Sequence, residues 1–358
     1  MSALPASRHP ERRGLVDTGV ALRVAGRLAT DPMEGSYLVQ DLAGHFADLV
    51  AEAEPLVVEE AGFGPSTPAR ARVMSRSEWA QANVGSIVKL LSPLLDKVDA
   101  KIPDSAAGGF TRRAYGSALG AQLGGVLGFI SQRVLGQYEI DPINAQDVWF
   151  VGPNVVITER RFGFVPRDFR LWVATHELTH RAQFEGNPWL RDYFGALVHD
   201  LLSSLELQPM SMLERALKVV TSSMPGQRGQ GDSTPIGIRL LDEDQRRIFD
   251  KLQAMMCVVE GHGNFLMDAV AGTHIPTQPR MRRSLSSGSW EGPLGKVMRR
   301  VLGLDLKRAQ YEEGQKFFDA ISQAAGRDGV RAAFRSAEHL PTLEEIRGPQ
   351  RWLARINP

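Results

Sequence analysis

One cysteine in 358 residues, Cys257, cannot close an internal disulfide. That removes the disulfide-stapled secreted scaffolds and fits a reducing compartment. A strong excess of charge of either sign is missing as well, since 42 Lys and Arg stand against 41 Asp and Glu, a formal net charge of +1. A globally basic nucleic-acid binder and an acidic solvating protein are both excluded, and no nucleic-acid partner is expected. The polar N-terminus, MSALPASRHPERR, has no apolar run. No secretory signal is visible there, and a cytoplasmic location is expected. The longest apolar stretch, Ala118 to Leu135, is interrupted by Gln122, Ser131, Gln132 and Arg133, so no transmembrane span is expected. Neither GxGxxG nor GxxxxGK[ST] occurs, which leaves nucleotide-driven chemistry without support. No repeat of 20–50 residues is apparent.

What is present is enough for a substantial core, with 43% hydrophobic residues. Residues 1–146 read as a helical N-terminal part. Asp17 is placed to cap a helix through Leu28, and helical spacing continues over Tyr37–Ala53, Ser77–Val98 and Thr111–Gly136. Pro55, GFGPSTP at 62–68 and KIPDSAAGG at 101–109 punctuate these segments. In the last of them Gly116, Gly120, Gly124 and Gly128 recur every four residues. Such a face pairs helices tightly, and we read it as packing inside a core rather than in a bilayer.

From Asp147 the pattern changes. VWFV at 148–151 and VVIT at 155–158 flank Gly-Pro-Asn and predict a small hairpin or a bulged edge strand. Helices are expected from Pro166 to Phe184 and at 190–205, 210–221, 243–270 and 310–325. Two stretches are expected to be irregular. One is 224–237, rich in Gly, Gln and Ser. The other is 280–308, where eight Lys and Arg face only Glu291 and Asp305. The basic stretch is read as a solvated surface loop, with contact to a membrane surface or an acidic partner as the alternative.

The chemistry lies at 176–180, His-Glu-Leu-Thr-His. A helix turns about 100° per residue, so His176 and His180 share a face and both reach one Zn²⁺. Glu177 lies beside the metal rather than on it, where it can take a proton from the attacking water. A chance HExxH is expected in on the order of one such chain in a hundred. Leu171, Trp172, Val173, Ala174, Leu178 and Ala182 add the apolar flanks of a buried active helix.

Zinc needs a third protein ligand and an open fourth position. Glu260, His262, Asp268 and His274 are the candidates downstream. Glu260 lies in the otherwise apolar run MMCVVEGHGNFLMDAV, where an unpaired carboxylate is costly, and this favours it. His262 points about 200° away on a regular helix, so both ligating requires distortion at Gly261 and Gly263. Asn264 or Asp268 could orient a histidine from behind. Tyr193, His262 or Tyr311 could stabilise a developing oxyanion. Cys257, between apolar neighbours, reads as a buried structural thiol.

HELTH followed by EGHGNF resembles the gluzincin metallopeptidases, although 79 residues separate His180 from Glu260. Over nearly its whole length the chain also resembles the family called zincin-like metallopeptidase type 2, which is labelled as associated with coenzyme F420 biosynthesis. The matching pieces are VDTGVALRVAGRLA, SEWAQANVGSIVKLLSPLLDK, VWFVGPNVV, THELTHRAQFEGNPWLRDYF, EGHGNFLMDAV, LGLDLKRAQYEEGQKFF and LPTLEEIRGPQRWLARI. The resemblance implies zinc ligands at His176, His180 and Glu260 and a general base at Glu177. No residue suggests a deazaflavin site.

The expected fold is therefore mainly α (α+β) and zincin-like, a helical bundle with a small hairpin or sheet beside the active helix. A single compact unit over 1–358 is expected, with 147–358 as its catalytic part. The expected function is zinc-dependent hydrolysis of peptide bonds, with one Zn²⁺ per chain and a peptide or protein as substrate. Two alternatives are a non-catalytic zinc-stabilised scaffold and a zinc amidohydrolase acting on a small molecule.

Overall fold

A computed structural model describes residues 14–33, 35–139, 146–205, 241–286 and 304–358, with the backbone alone at 286 and 304–311. The segments expected at 210–221 and 224–237 lie outside the described residues, as does most of the basic stretch. The protein is mainly helical with one small mixed sheet. It divides into two compact units, one of residues up to Thr30 with Ser77–Ser131, the other of Asp31–Arg76 with Gln132–Pro358.

In the first unit α1 (Thr18–Leu28) begins at Asp17, whose carboxylate accepts the Val20 N–H at 2.9 Å. That bond satisfies a helix-end donor. The glycine face of α6 (Ala106–Ser131) packs on α1. A Cβ on Gly120 would stand 2.3 Å from the Asp17 carbonyl oxygen, and one on Gly124 would stand 2.3 Å from that of Ala21. Only hydrogen fits at such an approach, so the four-residue glycine period belongs to a tight helix pair. Among the described residues no helix is long and apolar enough to cross a membrane.

The second unit contains α2 (Tyr37–Gln40), α3 (Leu42–Ala61), β1 (Arg70–Met74), β2 (Gly136–Tyr138), β3 (Asp147–Val151), α7 (Gly152–Phe162), α8 (Pro166–Gly186) and α9 (Pro188–Ser204). After these come α10 (Glu243–His274), α11 (Gln278–Ser286), α12 (Leu304–Ala332), α13 (Leu343–Arg347) and α14 (Pro349–Ile356). The helices α4 (Arg76–Leu90) and α5 (Ser92–Asp99) precede α6 in the chain.

Four expectations are corrected here. The hairpin at 148–158 is one strand followed by a helix. In VVIT Val155, Val156 and Thr158 are buried and Ile157 is half-buried, a short apolar run that periodicity cannot tell from a helix segment, and Pro153 opens α7 in its first turn. Strand β3 is central rather than an edge, parallel to β1 and antiparallel to β2. Pro55 does not end a helix but lies inside α3, whose buried face Phe46, Leu49, Val50, Ala53 and Val57 holds the helix together across it. Residues 280–286, expected to be irregular, are helical in α11. The part read as helical also supplies two strands, so the sheet joins residues on both sides of 146.

Two apolar clusters flank α8. Phe46, Phe150, Phe169, Leu171 and Leu178 gather on one side of it, with Phe46 and Phe150 stacked at 3.9 Å between centroids. On the other side Met255, Val258, Phe317, Phe318 and Trp352 join α10, α12 and α14. Helices α10 and α12 approach closely because Gly261 meets Gly314, where a Cβ on Gly261 would lie 2.3 Å from the Gly314 carbonyl carbon. Leu171, Leu178, Phe317 and Phe318 are each essentially fully buried. Every such side chain contributes about 1.5–3 kcal/mol, so α8 is held firmly between the two clusters.

Candidate metal centre

Helix α8 carries His176, Glu177 and His180. Pro166 occupies its first turn and Asp168 adds negative charge there, both favourable at a helix N-terminus. Arg181, the residue after His180, is 1% exposed. Its guanidinium pairs with Glu54 of α3 and donates to the Thr67 carbonyl at 2.7 Å, tying the helix to the segment before β1.

Helix α10 brings Glu260 against this face. One ligand atom from each of His176, His180 and Glu260 lies within 4.8 Å of the others. The two Nε2 atoms are 3.2 Å apart, and Glu260 Oε2 is 3.8 Å from His180 Nε2. The protonation pattern follows from the partners behind the rings. His176 Nδ1 faces the Met267 sulfur at 3.1 Å, and a thioether can only accept. His180 Nδ1 faces Gln183 Oε1 at 3.0 Å. The orientation of the amide is set by its Nε2, which donates to the Val259 carbonyl at 2.8 Å and meets His262 Nδ1 at 3.0 Å. Both Nδ1 atoms therefore carry hydrogen, and two Nε2 lone pairs and a carboxylate converge. Such a donor set fits a cation, and imidazole with carboxylate suits zinc among the common metals.

Glu177 is 7% exposed, and its Oε2 accepts the Tyr138 N–H of β2 at 3.0 Å. A cavity of 330 Å³ opens on this group, walled by Tyr138, Phe184, Phe194, Met256 and Val259. Tyr138 donates its hydroxyl to Glu185, which also pairs with Arg191. Burial, followed by Glu185, raises the Tyr138 pKa well above the ordinary phenol value.

His262 is fully buried, ringed by Phe63, Phe318 and Phe334 at centroid distances of 5.8, 5.1 and 4.6 Å. Burial, and after it the neighbouring His180, lowers its pKa to about 3. Since α10 is helical throughout, Glu260 and His262 diverge, and His262 meets Gln183 rather than the ligand cluster.

Of the other expected residues, Asp268 is held elsewhere, accepting from Gln278 at 2.7 Å, Arg282 at 2.5 Å and Gln315 at 2.6 Å. It orients neither histidine. Asn264 is half-buried on α10 and takes no part in the hydrogen bonds around the two histidines. Tyr193 faces a separate cavity with Lys251, Leu340 and Arg355. The Tyr311 side chain lies outside the described residues. The sequence reading missed Gly136, Tyr138 and Gln183. Only Gln183 left a signal, a polar residue three after His180 inside an otherwise buried helix.

A family model described as zincin-like metallopeptidase matches residues 16–353. A solved structure, described as that of a "putative hydrolase with a novel fold" from Chloroflexus aurantiacus, is similar at 29% identity and a TM-score of 0.70. The match covers 96% of this chain and 99% of that one. No curated protein sequence gives a significant match.

Proposed function

The chain belongs to the zincin-like metallopeptidase family, and on that premise we propose that it is a zinc-dependent hydrolase of peptide bonds. The observation that carries this reading is the convergence of His176, His180 and Glu260 beside a carboxylate, Glu177, that is held apart from them by a backbone N–H. These three residues would hold the zinc. Bound there, zinc supplies a Lewis acid that polarises a carbonyl and brings the pKa of water to around 7.

The remaining work falls to the chain itself. The Tyr138 N–H occupies one oxygen of Glu177 and fixes the carboxylate plane. Glu177 takes the proton of the attacking water as the C–O bond forms, then delivers it to the amine nitrogen as the C–N bond breaks. Phe184, Phe194, Met256 and Val259 make the walls apolar, which strengthens electrostatic interactions inside the cleft. The edge of the sheet next to α8 is β2. An extended peptide is proposed to lie along that edge.

Glu177→Gln tests the reading against a peptide library at neutral pH. Cleavage should fall by at least roughly 100- to 10,000-fold, with zinc content as in wild type. Chelator-sensitive cleavage that survives the substitution would assign the base elsewhere. A fully zinc-loaded wild-type chain that cleaves no peptide would favour a scaffold or a small-molecule amidohydrolase.

A further inference from the structure

We propose that Gln183 and His262 form a positioning relay that sets the tautomer of His180 and so presents its Nε2 lone pair to the metal. This inference rests on the zinc reading of the site. The Gln183 side chain makes three contacts: Oε1 to His180 Nδ1 at 3.0 Å, Nε2 to the Val259 carbonyl at 2.8 Å, and Nε2 to His262 Nδ1 at 3.0 Å. An amide has two N–H donors on one side and an acceptor on the other. The Val259 carbonyl takes one donor and His262 Nδ1 takes the other. Oε1 then has only one direction left, toward His180, and Nδ1 of that ring must carry the hydrogen.

His262 contributes by being a histidine. With Nδ1 accepting, its hydrogen is on Nε2, which is buried and has no hydrogen-bond partner among the described residues. An unsatisfied buried N–H is a cost that Phe, stacked among Phe63, Phe318 and Phe334, would not carry. A polar ring in that cage is accounted for by what its Nδ1 does, which is to lock the Gln183 amide. The order of the groups is His262, Gln183, His180, and the last of them is a ligand. Groups that orient ligating histidines in this way affect metal affinity by roughly 10- to 100-fold.

The test measures zinc affinity of the full chain by competition with a chromogenic chelator, in wild type, His262→Phe, Gln183→Met and the double variant. His262→Phe keeps a ring in the cage but offers no acceptor. It should weaken zinc binding roughly tenfold, and Gln183→Met by roughly 10- to 100-fold. In the double variant the His262 substitution should add nothing, because its effect passes through Gln183. Unchanged affinity in His262→Phe, or effects of the two substitutions that simply multiply, would overturn the relay. A purely structural role for His262 would lower the melting temperature and leave zinc affinity alone. Should Gln183→Met fail to fold, the comparison of His262→Phe with wild type decides by itself. A wild-type chain without zinc affinity would overturn the zinc reading and the relay together, whereas a tight wild type with unmoved variants overturns the relay alone.

Discussion

Gly136 and Glu177 touch across the gap between β2 and α8: a Cβ on Gly136 would stand 2.7 Å from Glu177 Cγ and 2.8 Å from its Oε1. The absence of a side chain at 136 is what lets the carboxylate lie against the strand and accept the Tyr138 N–H two residues on. Glu177 is thus positioned by the sheet as well as by its own helix.

Gly136→Ala should therefore displace the carboxylate and lower kcat, on the order of 100-fold for a shift near 1 Å. Zinc content should stay at the wild-type level, since the three atoms nearest to that Cβ all belong to Glu177. Steady-state kinetics beside metal analysis checks this, and an unchanged kcat would mean that Glu177 is not held as described.

Arg181 makes a different prediction. Buried to 1% exposure and paired with Glu54, its guanidinium loses a carboxylate partner inside the protein if Glu54 is replaced. Glu54→Leu should cost about 3–5 kcal/mol in urea unfolding. A loss below about 1 kcal/mol would show that the pair is exchanged freely for water.

Cys257 lies in α10 three residues before Glu260 and is 1% exposed. Burial, with Glu313 next in effect, pushes its thiol pKa up to about 12. It should resist iodoacetamide at neutral pH in the native state and react once the chain is unfolded, as mass spectrometry would show. Rapid native alkylation would contradict the close packing of α10 against α12.

The legible parts of this protein are those whose logic is local. HExxH needs only the turn of one helix, and the Asp17 cap and the four-residue glycine period are equally short-range. Glu260 was readable because a carboxylate stands out in an apolar run. What stayed hidden depends on partners distant in sequence. Strand β2 is three residues long and has no periodicity to detect, so the roles of Gly136 and Tyr138 emerge only once β3 and α8 flank it. VVIT at 155–158 carries a β-type composition but is mostly buried, and the helix opened by Pro153 prevails. Asp268 looked like an orienting group by spacing alone, yet Arg282 and two glutamines claim it. Gln183 shares the helical face of His180, but its function required Val259 and His262 from α10.

The central claim is that His176, His180 and Glu260 hold one zinc ion. Metal analysis of the purified chain by mass spectrometry tests it most directly, with His176→Ala, His180→Ala and Glu260→Gln measured alongside Asp268→Asn. The account predicts about one zinc per chain in wild type and in Asp268→Asn, and loss of most of it in the other three. A wild-type chain that carries no zinc and takes up none when it is added, or a Glu260→Gln chain that holds zinc as firmly as wild type, would contradict it.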